Sequence, residues 1–461
     1  MPSARRGNPF SWRFVAPLYM GSALNPINSS VIATALVPIA LALHIPVGRT
    51  AVLVSSLYLA CAIAQPTAGK LSEAFGPRRV FLGGIVLVLA GGLVGGAGGD
   101  LFTLTVARVL IGIGTSCGYP SAMLLVRRRA QSAHLDSPPG NVLGGLAIAG
   151  MATVAVGPPI GGLIVGISWR SAFLLNVPLT ALAFAMAAVW IPRDAGTTIS
   201  WRKIAGRVDL LGIVGFGGAV AALLVFLMSL PHPRWIALGI AFALGGALLA
   251  WELRATTPFL DLRLLAGNLP LTRTYVRTGV STIGFYVVLY GVTQWIEAVR
   301  GLSVETTGLV LLPMGTVSAL VSRPLSNRNL IRRPLIVGAA FMVIGSVATL
   351  FLNAHAPVIV IILITLVVGV VIGTTTVGNQ TALYMQSPPE VVGTASGLLR
   401  TFGYIGSIAS ATITGIVFRT RVTDAALHDI AWILVGLGAV VLIMTLADRR
   451  LPRSAEAVAT L

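Results

Sequence analysis

Gly69-Lys70-Leu71-Ser72-Glu73-Ala74-Phe75-Gly76-Pro77-Arg78-Arg79 is a compact charged turn set between two apolar segments, each long enough to cross a bilayer. Gly69 and Gly76 permit a tight reversal, and Glu73 stands within reach of Arg78 or Arg79 for an ion pair that also caps a helix end. So short a basic turn between two such segments reverses at a membrane surface, and its cations hold it on the cytoplasmic side.

Composition agrees with that reading. Hydrophobic residues make up 56% of the chain and charged residues 10%, with a mean hydropathy of +0.90, which does not describe a soluble globule. The formal charge of +18 falls in short clusters between apolar runs, so no continuous basic face tracks a nucleic acid. Cys61 and Cys117 fall inside apolar runs and read as small packed hydrophobes. The start, with Arg5, Arg6 and Arg13, runs into an apolar segment too long for a signal-peptide core, so the first segment is expected to stay in the membrane.

Runs of at least about 17 apolar residues, the length a helix needs to cross hydrocarbon, number fourteen. Six lie at about 14–43, 51–68, 80–97, 101–126, 141–167 and 172–191. A polar linker at 193–207 with Arg193, Arg202, Lys203 and Arg207 precedes two more at about 210–230 and 235–253. A second linker with Arg254, Asp261, Arg263 and Arg273 leads to the last six, at about 274–299, 307–321, 334–352, 358–385, 391–418 and 430–446. The expected architecture is therefore an all-α membrane protein. It has an N-terminal six-helix bundle (1–192), linkers with two additional central helices (193–273) and a C-terminal six-helix bundle (274–461).

Basic residues alternate across these loops. With both termini inside, the cytoplasmic side collects the clusters at Arg5, Lys70, Arg78, Arg127 to Arg129, the linkers, Arg323, Arg328, Arg332 and Arg449, and the outer side keeps Arg49, Arg170, Arg234, Arg300, Arg419 and Arg421. That asymmetry, roughly four to one, predicts an even number of spans and cytoplasmic ends. Leu71-Ser72-Glu73 before Arg78-Arg79 also lines up with Leu325-Ser326-Asn327 before Arg332-Arg333. Parallel repeats of this kind place a substrate cavity between two halves that rock around it.

The 69–79 turn resembles the signature loop between the second and third spans of the major facilitator superfamily. In that superfamily the loop gates the outward-facing state and its carboxylate is usually Asp, so Glu73 keeps the charge. The same turn also serves as a plain basic anchor. Gly157-Pro158-Pro159-Ile160-Gly161-Gly162 in the fifth span resembles the element that marks the antiporter branches, with Thr153 where a further Gly is usual; two prolines there also make a simple kink. Trp169-Arg170-Ser171-Ala172-Phe173-Leu174-Leu175-Asn176-Val177-Pro178 is similar to the opening of the sixth span in 14-span drug:proton antiporters.

Arg108 in the fourth span resembles the basic residue the family uses in substrate or proton coupling; so deep a guanidinium needs a polar cavity or a partner. Arg400 in Gly397-Leu398-Leu399-Arg400-Thr401-Phe402-Gly403 also matches a family Arg, with hydrogen bonding to carbonyls as the alternative. Arg277, near a span end, is expected to snorkel. In the first span, Asn28 holds the place of a family Asp, and an amide takes up no proton near neutral pH. Asn25, Asn28, Ser29, Ser30 and Thr34 form a polar stripe expected to face the cavity.

No acid falls in the middle of a span, and Glu297, after Gln294-Trp295-Ile296, is the best placed to carry a proton; pairing with Arg300 is the alternative. Tyr119, Tyr286, Tyr290, Gln294, Asn379, Gln380 and Tyr384 could line a drug-sized pocket or simply pack. No phosphate-cradling loop or paired metal-ligand histidines occur, which argues against an enzyme, a cofactor or a metal. The resemblance implies a monomeric inner-membrane efflux transporter whose partners are the lipid bilayer, a small amphipathic substrate and protons. Uptake or exchange of an anionic metabolite or lipid, and a non-transporting sensor, are the rivals.

Overall fold

The computed structural model describes residues 9–135, 140–194, 209–229, 232–256, 258–259, 262–327, 330–387, 392–448 and 451. Arg5, Arg6, Arg202, Lys203, Arg207, Asp261, Arg328 and Arg449, named above in the basic loops and linkers, lie outside them, as do Arg450 and Arg453, which continue the last basic cluster. The elements are helical throughout. In chain order the long helices are α1 (Trp12–Ala42), α2 (Val47–Glu73), α3 (Pro77–Ala97), α4 (Leu101–Ser132), α5 (Gly140–Ile167) and α6 (Ser171–Trp190). After them come the hairpin α7 (Leu210–Leu227) and α8 (Trp235–Glu252), then α9 (Leu269–Ala298), α10 (Val304–Leu325), α11 (Arg332–Thr349), α12 (Val358–Gln386), α13 (Val392–Val417) and α14 (Asp424–Ala447).

Among the described residues twelve of these, all but α5 and α13, are long and apolar enough to cross a membrane. The expected fourteen is not reached by that measure. Arg400 and many glycines, serines and threonines lower the apolar content of α13, while in α5 the count rests on Val156–Ile167, the part of the helix whose residues are all described. Both helices are nonetheless long, with 28 and 26 residues.

Local chemistry sets the boundaries. The side chains of Asp100, Asn268 and Thr423 accept from backbone N–H groups three residues on and start α4, α9 and α14. Pro77 opens α3 at a position that needs no donor. Pro17 and Pro26 lie inside α1, each removing a backbone donor, and the helix tightens into a 3-10 turn at Ile32–Ala35.

One face of the bundle, the basic face, carries the 73–79 turn; the far face carries the ends near Arg49, Gly98, Arg300 and Arg419. In the first set α1 packs on α5 and α6, and α3 on α4; in the second α10 packs on α12, α9 on α13, and α11 on α12 and α14. The two sets meet along a seam where α5 packs on α10 and α2 on α13. Each seam contact joins the second helix of one set to the fifth of the other, the pattern a pseudo-two-fold between parallel repeats generates. A buried cluster that includes Val31, Tyr58, Cys61, Tyr290, Trp295 and Met314 runs across that seam.

The α7–α8 hairpin sits outside, with α7 touching α2 and α13. Only 17% of the most apolar window of α7 and 6% of that of α8 are buried, against 72% for α1, so the hairpin faces lipid. Asp209 pins its base, accepting from Gly212 N (2.8 Å), Trp251 Nε1 (2.7 Å) and Phe259 N (3.0 Å).

Candidate functional site

The charged turn is organised differently from the local expectation. Gly76 ends α2 with φ +99°, a left-handed conformation suited to glycine. A Cβ there would also lie 2.3 Å from Asp194 Cγ. Asp194, just after α6, accepts from Arg79 N (2.9 Å) and Arg78 N (3.3 Å), setting a carboxylate on the positive end of α3. Arg128 approaches the same carboxylate at 3.9 Å, and Arg78 donates to Ala188 O at 2.8 Å. Glu73 is exposed and forms no ion pair among the described residues, so Asp194 and not Glu73 caps this turn. Gly69 meets Pro120 at ordinary contact distance, which brings α2 onto α4.

The first-span stripe turns inward to its own half. Asn28 donates to Asn176 Oδ1 (2.7 Å) and Leu24 O (2.9 Å), while Asn176 donates back to Asn28 Oδ1 (2.9 Å). This reciprocal amide pair is buried on both sides, and it occupies Asn28 with packing α1 on α6 instead of exposing it to a cavity. Asn25 reaches Thr115 Oγ1 and Cys61 Sγ, each at 3.1 Å. Ser29, Ser30 and Thr34 donate to carbonyls of their own helix.

Arg108 is fully buried in α4 beside these groups. Its Nε donates to Leu53 O (2.9 Å) and Nη1 to Asn28 O (3.2 Å), whereas Nη2 has no hydrogen-bond partner. It forms no ion pair with a carboxylate among the described residues.

Across the seam, α9 relaxes into a π-helical turn at Val288–Val292, a local widening that recurs at functional positions. Tyr290 lies in it. Its hydroxyl donates to Ser29 O (3.1 Å) and sits 3.2 Å from Tyr58 Oη. Tyr286 stacks on Tyr290 (5.4 Å between centroids) and meets Tyr58 edge-on (5.2 Å). Tyr404 leans over Tyr58 and donates to Gln65 Oε1. Arg400 lies over the Tyr119 ring at 3.8 Å, a cation–π contact between α13 and α4. Gln294 is buried with Oε1 unpartnered.

At the far end of the seam, the glycine face of α5 lets three helices touch. A Cβ on Gly157 would strike Ser30 Oγ at 2.0 Å, one on Gly161 would lie 2.9 Å from Thr34 Oγ1, and one on Gly162 would lie 2.5 Å from Val304 O. On the facing helix, a Cβ on Gly308 would lie 2.4 Å from the carbonyl of Pro158. Pro158 and Gly162 thus form the contact between the two halves on this face, while Gly157 and Gly161 seat α5 closely on α1 within the first half.

The sequence profile of the Major Facilitator Superfamily matches residues 18–411. The chain belongs to that superfamily. It is 33% identical to the MFS-type transporter YwoD of Bacillus subtilis, over 96% of this chain and 98% of the relative. It is 28% identical to the tetracenomycin C resistance and export protein of Streptomyces glaucescens, over 92% and 78%, and to the multidrug resistance protein Stp of Mycobacterium tuberculosis, over 79% and 68%. A variant of the nucleoside transporter NupG shares the fold with a TM-score of 0.65 at 12% identity, covering 94% of this chain and 99% of that one. The protein is thus a multi-pass membrane transporter of the major facilitator superfamily and not an enzyme.

Two carboxylates of this transporter stand apart. Glu297, near the far end of α9, has both oxygens buried with no hydrogen-bond partner; Arg300 donates instead to Ala356 O, so the expected alternative pair is not formed. On the basic face Arg277 does not snorkel: it is buried and donates through Nη2 to Asp448 (3.3 Å), which also takes Arg273 Nη1 (3.1 Å). Tyr384 and Gln380 are exposed and lie outside the tyrosine cluster, and Asn379 is buried with Oδ1 unpartnered. Asn176, Asp194, Asp448, Tyr58, Gln65 and Tyr404 went unread in the sequence as site partners. The tyrosines alone left a signal there, as aromatics among small polar residues on helices that meet at the seam.

Proposed function

We propose that this transporter exports small amphipathic compounds by alternating access and that protons moving inward drive the export. The observation that carries the reading is the glycine face of α5 against Val304 and Gly308, a close contact between halves that a far-face gate requires. The tyrosine cluster around the π-helical turn supplies flat, partly polar surface for an aromatic or cationic compound. Resistance and export proteins among the relatives support the outward direction. In this reading α5 and α13 also cross the membrane, giving fourteen spans, with the basic face and both termini cytoplasmic in a bacterial plasma membrane. Asp194, Gly76, Arg78 and Arg79 hold the basic-face turn, and the protein acts as a monomer.

Glu297 carries the coupling proton in this account, since Asn28 is an amide locked to Asn176 and no other acid in a described span has both oxygens buried without a hydrogen-bond partner. An unpaired buried carboxyl is held most cheaply in its neutral form, and release of the proton requires the far face to open. A second reading, transport of an anion, is favoured by Arg108, whose Nη2 has no hydrogen-bond partner and which pairs with no carboxylate among the described residues.

Reconstituted vesicles with an imposed proton gradient separate the two. Gradient-driven flux of a cationic dye such as ethidium, lost in Glu297→Gln, is the result expected of proton-coupled export. Flux that ignores the gradient, or a preference for anionic dyes that Arg108→Ala removes, replaces it with the anion reading.

A further inference from the structure

The far face holds a cleft of about 950 Å³ where both halves and the hairpin meet. Arg49 enters it from the 3-10 turn Val47–Thr50 that opens α2, Arg419 from just beyond the end of α13, and Arg234 from the loop that starts α8. His232 and Ser229 add polar groups, and Val225, Leu227 and Ile416 continue the wall as apolar surface. No acid lines the cleft, and none of the three arginines forms an ion pair among the described residues.

This concentration of charge is unexpected. The far face carries few cations, and of those outside the cleft Arg170 lies over Trp169 (4.3 Å) and donates to Gly98 O, Arg300 donates to Ala356 O, and Arg421 is exposed two residues beyond Arg419. The cleft arginines, in contrast, are gathered from three separate parts of the chain. The seam is tight at this point, because a Cβ on Gly48 would lie 2.6 Å from Gly415 O and 2.8 Å from Arg419 Cα. Closing the far face therefore brings the Arg49 and Arg419 segments, with like charges, to one cleft, and that repulsion opposes closure unless an anion lies between them. A phosphate oxygen accepts from two guanidiniums at once. The apolar wall next to them suits an acyl chain.

We propose that this cleft binds the phosphodiester headgroup of an anionic membrane lipid, which bridges Arg49 and Arg419 across the seam and favours the closed far face. The binding stands on the cleft alone; the effect on closure rests on the alternating-access reading above.

The test is native mass spectrometry of the full chain in mild detergent, titrated with phosphatidylglycerol, phosphatidylcholine or free glycerol phosphate. Wild type is expected to retain phosphatidylglycerol in preference to phosphatidylcholine. Arg49→Gln with Arg419→Gln should weaken that binding at least about tenfold, the loss of charge-assisted hydrogen bonds from two sites. Arg49→Lys with Arg419→Lys should keep part of it, and Arg170→Gln, an arginine of the same face outside the cleft, should leave it unchanged. Equal binding of phosphatidylcholine, or of glycerol phosphate at the same concentration, overturns the lipid assignment. Unchanged binding in the double Gln variant overturns the site. For the gate, a cysteine introduced at Val304 should be labelled faster in the double Gln variant than in wild type in phosphatidylglycerol vesicles; equal labelling overturns the bridge. Selective lipid binding by a protein that exports no dye would leave this site intact while refuting the export reading.

Discussion

Replacing Asp448 with Asn is the most demanding test of the packing described here. Its side chain and that of Arg277 are both fully buried, at 0% exposure, whereas Arg273 is 43% exposed. Nε and Nη1 of Arg277 have no hydrogen-bond partner, so Asp448 supplies the counter-charge for a guanidinium with no other compensation. Removing one partner of such a pair strands a buried charge, at a cost of about 3–5 kcal/mol. Arg273→Gln, in contrast, removes a half-exposed contact and should cost less than about 1 kcal/mol. Adding Arg277→Met to Asp448→Asn should recover most of the loss, because a neutral side chain of similar volume no longer needs the carboxylate. Unfolding by SDS titration in mixed micelles measures all three. A loss for Asp448→Asn no larger than that for Arg273→Gln, or no recovery in the double variant, refutes the argument.

Asn28→Ala and Asn176→Ala each strand a buried amide and should each cost about 1–3 kcal/mol. In a double-mutant cycle the pair should be strongly non-additive, read from the same titration. Gly162→Leu drives a side chain into the Val304 carbonyl, so it should abolish export and raise the labelling of a cysteine introduced at Val304, against native cysteines that are both buried. Gly99→Ala, where an added Cβ meets nothing within 4 Å, should do neither. The Thr103 hydroxyl and N–H hold the Asp100 carboxyl below the usual carboxylate range. Its contribution is therefore present above the ordinary carboxylate pKa and lost as pH falls through the lowered one, so Asp100→Asn should flatten the thermal-stability profile between neutral pH and about pH 3.

Much of the fold was legible because lipid imposes it. Apolar length, basic turns and the position of the central hairpin are all properties of contiguous sequence, and the 69–79 turn and the glycine face of α5 could be read from adjacent residues. The difference between fourteen runs and twelve apolar crossings arises where helices trade apolar content for packing, as α13 does around Arg400. What sequence did not reveal is pairing over distance. Glu73 was the local choice for the charged turn, yet Asp194, 115 residues beyond Arg79, lies at the N-terminus of α3 where a carboxylate is most stabilised. Arg277 stands near a span end, where snorkelling is the natural reading, until α14 brings Asp448 to it. Asn28 looked like a cavity residue because nothing in α1 indicates that α6 presents Asn176 to the same place.

The most direct test of the account is uptake of ethidium into inverted membrane vesicles, acidified inside, before and after a protonophore. Accumulation that collapses when the gradient is dissipated, and that Glu297→Gln abolishes while leaving the protein folded and inserted, is the result proton-coupled export requires. Accumulation that is indifferent to the gradient, or undiminished in Glu297→Gln, contradicts it.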